Sequence, residues 1–504
     1  MTRPSRLAAA LLTVAACATG CGAGRIAPDA PQTSDPESSP RPGAVTLQAD
    51  LDRIFSAPPL ARALMSAHIV SIVDGRVLYG RDADKRVVPA SNMKLVTVAV
   101  AADRLGWDFT FRTRLETTGT IDQGTLNGDL VVTGDGDPTI GAQGGDVAPL
   151  FLDWADAAAK AGIRRVAGRL VGDDNALDDL GLGAGWAWDY LEAGYAAPSG
   201  ALTYNENIIG IEVRPGTSVG ATPHLIVGPA GHGLEIVSEV STGAPELPAD
   251  LSLVRAPGSN RLTVRGSVPA SGAPVIRTAA VPNPTRYFVE ALRLALAARG
   301  INVLGGAWDL DDLVTPPAST RRLLAERESA PLSSVAAHTL KVSQNLYGDT
   351  LLKALGRTPA QPGSAAAGRQ IVARTLAGWG IAPESIVMLD GSGLSRYNYV
   401  TADALTALLV HVWRDARLRG PFVAALPVGA HDGTLESRMK NGLLARRVQA
   451  KTGTISNVRA LSGYVERLDG EKLAFSMIAN HFTATSAEID AIVEQALERV
   501  VRGQ

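Results

Sequence analysis

Cysteine is almost absent from the 504-residue chain: the two cysteines, Cys17 and Cys21, lie near the N-terminus and none follows. A mature protein cleaved near these positions therefore contains no internal disulfide. An excess of charge of one sign is also lacking, because 48 basic and 50 acidic side chains give a net charge of −2. This balance argues against a surface built to neutralise phosphate, so nucleic acid is not expected as a partner.

Lysine is scarce as well, since only eight of the 48 basic residues are lysines, and this makes each lysine position informative. The seven histidines include no His-Glu-x-x-His, which disfavours a zinc peptidase, and no phosphate-binding Gly-x-x-x-x-Gly-Lys occurs. Ser392 is not in a nucleophile elbow, because Asp390 and Leu394 stand where Gly-x-Ser-x-Gly requires glycines. We therefore expect neither a metal nor a cofactor.

The N-terminal residues 1–21 are typical of an export signal, with the mainly apolar run Leu7–Ala16, which is too short for a permanent membrane helix. The residues before Cys17 and before Cys21 both resemble bacterial lipoboxes, in which the cysteine is lipidated; cleavage without lipidation is the alternative. Proline-rich residues 22–46 predict a tether. We expect an exported protein on the periplasmic side of the cytoplasmic membrane, anchored there by lipid if either cysteine is modified.

The remaining chain divides by its hydrophobic pattern. Residues 47–110 and 283–504 combine helical spacing with a C-terminal strand meander, whereas residues 111–282 show short β-like segments separated by Gly, Pro and Asn. This predicts an α+β fold, an α/β sandwich with an antiparallel sheet flanked by helices and split by β-rich inserted accessory domains. The leucine spacing between Leu332 and Leu355 predicts a helix over this whole range.

A candidate nucleophile and base occur together in Ser91-Asn92-Met93-Lys94. A serine one helical turn before a lysine places hydroxyl and amine on the same face of a helix. Only lysine can act as the base here, because arginine does not lose its proton in proteins. A second match, Ser437 to Lys440, lies in a polar stretch, whereas Ser91 opens an apolar helix. The alternative role of Ser91 is a helix N-cap.

Two further short motifs follow along the chain, Ser343-Gln344-Asn345 and Lys451-Thr452-Gly453. Taken alone, the first is also compatible with a polar patch on a surface helix, and the second with a turn that enters a strand. In the order Ser-x-x-Lys, Ser-x-Asn, Lys-Thr-Gly, however, the three motifs reproduce the signature of the penicilloyl-serine enzymes. Ser91 is therefore the best candidate nucleophile.

On these motifs the chain resembles the penicillin-binding proteins and, more narrowly, the class C low-molecular-mass D-alanyl-D-alanine carboxypeptidases and endopeptidases, over about residues 47–504. The 252 residues between Ser91 and Ser343 favour the narrower family, whose members carry extra domains between the first two motifs. One departure is Asp349, where the family favours glutamate; it puts only local packing in doubt. Further stretches that resemble the family are Gly134–Pro138, Gly185–Trp188, Ala196–Leu202, Asp390–Arg396 and His431–Leu435.

The resemblance implies a penicillin-binding transpeptidase-like, that is β-lactamase-like, fold. It also implies a serine DD-peptidase that cleaves the terminal D-alanyl-D-alanine bond of peptidoglycan stem peptides, D-alanyl cross-links, or both, through an acyl-enzyme on Ser91. Lys94 would be the general base, kept neutral by burial and by the nearby charge of Lys451. Ser343 would relay the proton to the leaving amine, and Asn345 would hold the substrate amide. β-Lactams would be covalent inhibitors.

The resemblance also assigns the third motif and a nearby arginine. Backbone N–H groups of Ser91 and Thr454 would form the oxyanion hole. The strand that starts with Lys451-Thr452-Gly453 would pair with the substrate backbone, and its Lys451 and Thr452 would bind the terminal carboxylate. Arg396 would meet an acidic group on the stem peptide; its alternative is a solvated loop arginine.

Two other functions stay open at this point. A β-lactamase-like hydrolase would share the motifs but deacylate fast, and the long insertion argues against it. A non-catalytic cell-wall binding protein would share the fold, and the presence of Ser91 and Lys94 argues against that. Carboxypeptidase and endopeptidase action are both compatible with the sequence, because both cleave after D-Ala and differ in the leaving group.

Overall fold

The computed structural model of the protein describes residues 42–141, 149–440 and 442–503. Both cysteines and most of the predicted tether lie outside these ranges. The first helix begins at Pro42, so the C-terminal end of the tether predicted for residues 22–46 is helical. No helix within the described ranges combines the length and the apolar character needed to cross a bilayer.

The helices follow the apolar runs with a spacing of three to four residues. In the described part of the chain they are α1 (Pro42–Phe55), α2 (Met93–Leu105), α3 (Pro149–Lys160), α4 (Pro284–Ala298), α5 (Leu332–Lys341), α6 (Asn345–Leu355), α7 (Ala365–Gly378), α8 (Ala402–Arg414), α9 (Ala416–Ala425) and α10 (Ser486–Arg502). The capping box at Thr485 starts α10: its hydroxyl accepts from the Glu488 N–H, and the Glu488 carboxylate accepts from the Thr485 N–H.

The strands are short and mostly antiparallel. In the described ranges they are β1 (Leu64–Ser71), β2 (Val77–Arg81), β3 (Arg112–Thr117), β4 (Thr120–Asp122), β5 (Thr125–Asn127), β6 (Leu130–Gly134), β7 (Arg165–Val166), β8 (Leu170–Asp173), β9 (Ile208–Arg214), β10 (His224–Gly228), β11 (Glu235–Gly243), β12 (Asp250–Val254), β13 (Arg261–Pro269), β14 (Val275–Ala280), β15 (Asn302–Val303), β16 (Ala307–Asp309), β17 (Arg322–Glu328), β18 (Ile386–Val387), β19 (Tyr399–Val400), β20 (Val448–Ile455), β21 (Val458–Glu466) and β22 (Lys472–Asn480).

Both ends of the chain build one five-stranded antiparallel sheet, the main sheet, in the order β2-β1-β22-β21-β20. Successive side chains of β22 face opposite sides of this sheet. Ala474 and Ile478 pack into a core shared with α2, α5, α6 and α8. Phe475 and Met477 pack into a second core shared with α1 and α10. Helices therefore cover both faces of the main sheet, which confirms the predicted α+β sandwich.

The main sheet and the helical layer position the three motifs. Helix α2 starts at Met93, two residues after Ser91, and its residues from Met93 to Ala102 are all buried, as expected for a stretch that is apolar except for Lys94 and Thr97. The loop between α5 and α6 carries the second motif. The third motif lies on β20, the edge strand of the main sheet, where an added peptide strand can pair.

The β-rich region forms separate sheets, in the orders β16-β8-β6-β3-β17, β15-β7-β5-β4, β10-β9-β14 and β11-β13-β12. Strand β17 pairs with β3, and α4 contributes Tyr287 and Phe288 to the core of this region. We therefore propose that the inserted region runs from residue 111 to Glu328, beyond the boundary predicted at residue 282. The amphipathic pattern of α4 is compatible with packing against either core, so the sequence pattern alone did not show that α4 belongs to the inserted region.

The helix predicted from Leu332 to Leu355 is in fact two helices, so this prediction was wrong. Helix α5 ends at Lys341 and α6 begins at Asn345, and between them Ser343 has a φ of 65°. A left-handed residue interrupts an α-helix. The leucine spacing continues through the break because both helices contribute to the same core. The break places Ser343 in a loop and Asn345 at a helix N-terminus.

Candidate active site

Ser91 lies in the short turn Ala90–Asn92 that leads into α2, and Lys94 lies in the first turn of that helix. Lys94 Nζ lies 3.0 Å from Ser91 Oγ, within hydrogen-bond distance. The alternative role of Ser91 as an N-cap is excluded, because Asn92 occupies that position and no side chain caps the helix there. The serine hydroxyl is therefore free to react, with an amine in hydrogen-bond contact.

Two further acceptors hold the Lys94 amine. Its Nζ lies 2.6 Å from Asn345 Oδ1 and 2.7 Å from the backbone oxygen of Ser392. A neutral amine has two protons and one lone pair. When these two acceptors take both protons, the lone pair is left for the Ser91 hydroxyl proton. The arrangement is that of a general base aimed at its nucleophile.

Residues from the inserted region and from helix α6 fix these acceptors. Asn345 Nδ2 donates to the backbone oxygen of Tyr195 at 2.8 Å, which turns Asn345 Oδ1 toward Lys94. The N–H groups of Gly391 and Ser392 donate to Asp349 Oδ1 at 2.8 and 3.1 Å, which fixes the two peptides that precede the one whose oxygen accepts from Lys94. Both contacts join segments that are far apart in the sequence.

Burial controls the protonation of Lys94. Its side chain is 0% exposed, and this desolvation lowers its pKa, while the carboxylates of Asp349 and Asp390 raise it in part. The pKa of Asp349 is raised, chiefly by its own burial. The departure of Asp349 from the family pattern had suggested an effect on local packing alone. The structure shows that Asp349 also affects the pKa of Lys94. It is one of two buried carboxyl groups that raise the pKa of Lys94 against the effect of burial.

Lys451 of β20 is also 0% exposed. Its Nζ donates to Ser343 Oγ at 2.8 Å and to the backbone oxygen of Thr452 at 2.7 Å. Desolvation lowers its pKa well below the ordinary value, and Lys94 and Arg459 lower it further. The electrostatic coupling between the two lysines that the sequence predicted is therefore present, and it disfavours having both amines charged at once. Burial, the other predicted cause, does lower the pKa of Lys94.

A cavity of about 250 Å³ opens above these groups. Four of the predicted site residues line it: Ser91, Ser343, Asn345 and Thr454. The other residues of its wall are Tyr190, Tyr195, Gly393, Leu394, Ile455 and Ser456. The two tyrosines come from the inserted region, and their rings lie 5.8 Å apart. The inserted region therefore forms one wall of the cavity.

The third motif is held by contacts with two other segments. Thr452 Oγ1 donates to Thr434 Oγ1 at 2.8 Å. A Cβ on Gly453 would lie 2.7 Å from the backbone oxygen of Pro89, so a glycine is needed where β20 passes the turn that holds Ser91. Thr454 is exposed, and Arg459 donates to its hydroxyl while forming an ion pair with Asp490.

Arg396 lies beside the cavity without lining it. Its Nη2 donates to the backbone oxygen of Ser456, a wall residue, at 2.8 Å, and its side chain is half-buried. The structure thus brings Ser91, Lys94, Ser343, Asn345 and the third motif together, with Arg396 at the edge.

Sequence reasoning did not assign roles to several residues of the site: Trp186, Tyr190, Tyr195, Asp349, Asp390 and Arg459. Trp186 and Asp390 lie in stretches that resemble the family, and this was the one signal available for them. Tyr195 acts through its backbone oxygen, which has no sequence signature.

Within the described residues, one group of carboxylates has oxygens close enough to hold a cation, at Asp174, Asp309 and Asp311, all within 4.8 Å of one another. Burial raises the pKa of Asp174 to about 7. None of the three lines the cavity at Ser91.

A serine paired with a buried lysine, a Ser-x-Asn loop above it and a Lys-Thr-Gly edge strand beside it define the class of the penicilloyl-serine peptidases. Comparison with known proteins gives the family. The model of the D-Ala-D-Ala carboxypeptidase 3 (S13) family matches residues 47–500. The chain belongs to this family and is a serine-type D-alanyl-D-alanine peptidase that acts on peptidoglycan at the cell envelope.

Individual relatives agree with this assignment. The chain is 34% identical to the D-alanyl-D-alanine carboxypeptidase of Actinomadura sp. over 467 residues, covering 90% of this chain and 84% of that protein. It is 29% identical over 411 residues to the D-alanyl-D-alanine carboxypeptidase DacB of Haemophilus influenzae, covering 80% and 82%. The crystal structure of penicillin binding protein 4 from Haemophilus influenzae matches with a TM-score of 0.77 and 25% identity, covering 90% of this chain and 98% of that one. The predicted fold class is confirmed.

Proposed function

We propose that Ser91 is the nucleophile that cleaves the D-alanyl-D-alanine bond of peptidoglycan stem peptides, with Lys94 as its general base. The observation that carries this assignment is the set of three contacts at Lys94 Nζ: Ser91 Oγ, Asn345 Oδ1 and the Ser392 oxygen. Two of these acceptors take the amine protons and leave its lone pair on the serine. Burial lowers the pKa of this amine, so Lys94 can accept a proton at a pH where an ordinary lysine is still protonated.

Acylation then follows from this geometry. Ser91 Oγ attacks the carbonyl carbon of the penultimate D-Ala while its proton passes to Lys94. The oxyanion is received by the N–H groups of Ser91 and Thr454, which face charge that develops only in the transition state. The C–N bond breaks, and the proton that Lys94 took up reaches the leaving amine through the Ser343 hydroxyl, which gives one proton and receives one. Water later attacks the ester and restores the Ser91 hydroxyl.

Substrate binding is assigned to the groups around the cavity. The edge strand β20 pairs with the peptide backbone, and Asn345 holds a substrate amide. The terminal carboxylate meets Thr452 and Thr454, and Lys451 acts on it through the Ser343 hydroxyl. Gly453 allows the strand to pass close to Ser91. Arg396, beside Ser456, is the candidate partner for an acidic group on the stem peptide, and its contact with the Ser456 oxygen supports a position at the cavity edge.

A free D-alanine or a cross-linked amino group can both occupy the leaving side, so we propose carboxypeptidase and endopeptidase action at one site. β-Lactams, which carry a strained amide in place of the D-Ala-D-Ala bond, would acylate the same serine. We also propose that export ends with lipidation at Cys17 or Cys21, which would hold the enzyme next to its substrate.

Intact mass spectrometry of the purified protein with and without benzylpenicillin tests the proposal. We expect a stable adduct that peptide mapping places on Ser91, and that Ser91→Ala abolishes. Ser437→Ala is the matched control, because it removes the serine of the second Ser-x-x-Lys match and should leave the adduct intact. Rapid drug loss without an adduct would instead indicate the β-lactamase-like alternative. An unreacted protein with intact drug would indicate the non-catalytic one.

A further inference from the structure

The loop that supplies the Ser392 oxygen to Lys94 is organised around one buried carboxylate. Asp390 is 2% exposed. Its Oδ1 accepts from the Gly393 N–H at 2.8 Å and from Asn398 Nδ2 at 2.7 Å, and its Oδ2 accepts from the Ser395 N–H at 2.6 Å. These three donors belong to the loop itself. The carboxylate therefore fixes the path of the loop on both sides of Ser392.

A fourth donor comes from the inserted region. Trp186 Nε1 donates to Asp390 Oδ2 at 2.8 Å, across 204 residues of sequence. The residue before Trp186 is in close contact with the loop. A Cβ on Gly185 would lie 2.4 Å from Tyr397 Cδ2 and 2.8 Å from Ser395 Oγ. The inserted region thus contacts the loop both by a hydrogen bond and by close packing.

The same loop lies directly beside the nucleophile. A Cβ on Gly393, whose φ is 87°, would lie 1.8 Å from the Ala90 oxygen and 3.1 Å from the Ser91 nitrogen. The Gly391 oxygen accepts from Thr97 Oγ1 at 2.7 Å, one turn along α2 from Lys94. A small movement of this loop is therefore transmitted to both ends of the Ser91–Lys94 pair, because no free space separates them.

We propose that Trp186 is a positioning residue for the general base: its hydrogen bond to Asp390 holds the loop so that the Ser392 oxygen directs the Lys94 lone pair onto Ser91. The segment from Trp186 to Tyr195 then serves both fixed acceptors of Lys94, since the Tyr195 oxygen holds Asn345 in the same way. This role rests on the proposed function of Ser91 and Lys94. It makes the inserted region a part of the catalytic apparatus as well as a wall of the cavity.

The variant Trp186→Phe removes the N–H donor and keeps an aromatic ring. With benzylpenicillin as the probe, the acylation rate constant of Ser91 and the dissociation constant of the preceding non-covalent complex are measured separately. We expect the acylation rate constant to fall about tenfold, a fraction of the full effect of a general base, with the dissociation constant unchanged. The matched control is Trp107→Phe, which also removes one indole hydrogen bond, to the Arg417 oxygen at 2.9 Å, and should acylate like the wild type.

A second pair of variants tests the same contact through packing. Gly185→Ala forces the segment away from Tyr397 and Ser395 and should slow acylation like Trp186→Phe. Gly162→Ala introduces the same left-handed strain, with a φ of 90°, where a Cβ meets nothing within 4 Å, and should acylate normally. Thermal melting of all four variants identifies any that is unfolded, and the rate constant of the folded fraction is the quantity compared.

The outcomes separate this inference from the proposed function. A wild-type protein that forms no adduct on Ser91 would overturn the proposed function itself. A reactive wild type with Trp186→Phe and Gly185→Ala indistinguishable from their controls would overturn the positioning role alone. A weaker non-covalent complex with an unchanged acylation rate constant would also overturn it, because the tryptophan would then shape the cavity and not the base.

Discussion

Lys451 Nζ donates to Ser343 Oγ across 2.8 Å and so joins the third motif to the second, 108 residues away in the sequence. The Ser343 oxygen accepts from Lys451, so the proton of the Ser343 hydroxyl points away from Lys451. Ser343 also lines the cavity. The Ser343 hydroxyl can therefore donate its proton into the cavity. In the proposed function, this contact lets Lys451, which has no exposed surface, act on a substrate in the cavity.

The Ser343 hydroxyl should be needed for turnover, and the left-handed backbone conformation of Ser343 should lower the stability of the folded protein. We expect Ser343→Ala and Ser343→Gly both to lower kcat by about 10²-fold, because both remove the proton relay. Ser343→Gly should be the more stable of the two by about 1 kcal/mol, since glycine tolerates the φ of 65° at this position. Release of D-alanine from a D-Ala-D-Ala peptide and chemical denaturation measure the two effects; equal stability of the variants would contradict the second.

Lys94 should be irreplaceable by arginine. Lys94→Arg keeps a positive charge but cannot give up its proton, so acylation of Ser91 should fall by roughly 10²–10⁴-fold. The control is Lys440→Arg in the second Ser-x-x-Lys match, which should change nothing. Stopped-flow acylation by benzylpenicillin provides the measurement, and a Lys94→Arg protein within tenfold of the wild type would argue against Lys94 as the base.

Activity should rise with pH through the neutral range. Burial lowers the pKa of Lys94 to about 8, and the neutral amine is the reactive form. Below this value most of the lysine is protonated, so the acylation rate should increase about tenfold per pH unit and become level above it. A pH profile of the acylation rate constant from pH 5.5 to 9.5 is the measurement. A rate that declines from pH 6 to pH 8 would be incompatible with a neutral Lys94 as base.

Removing the charge of Asp349 should move that profile. The Asp349 carboxylate raises the pKa of Lys94, so Asp349→Asn should lower it and shift the rise in activity to lower pH, by roughly one unit. The amide oxygen of Asn can still accept from the N–H groups of Gly391 and Ser392. Asp103→Asn, on the same helix as Lys94 but paired with Arg417, is the control and should leave the profile in place. A shift of the Asp349→Asn profile to higher pH would show that the sign of this coupling is wrong.

Much of this protein could be predicted from its sequence. The apolar run after Ser91 indicated a buried helix, and α2 is one. The C-terminal meander was also predicted, because alternation is a local pattern. The single helix predicted across Leu332–Leu355 was wrong. Helices α5 and α6 pack into one shared core, so the leucine spacing continues across the break, and this continuous spacing had suggested one helix.

The sequence by itself determined which groups can react and in what order they occur along the chain: a serine, a lysine one turn later, a Ser-x-Asn and a Lys-Thr-Gly. Only the tertiary structure decided how these groups are tuned. One acceptor of Lys94 is the backbone oxygen of Ser392. The backbone oxygen of Tyr195 orients the other acceptor, Asn345. Every residue has such an oxygen, so its role depends on where the chain passes and not on the residue type. The lowered pKa of Lys94 likewise arises from burial by segments hundreds of residues apart, which no local pattern encodes.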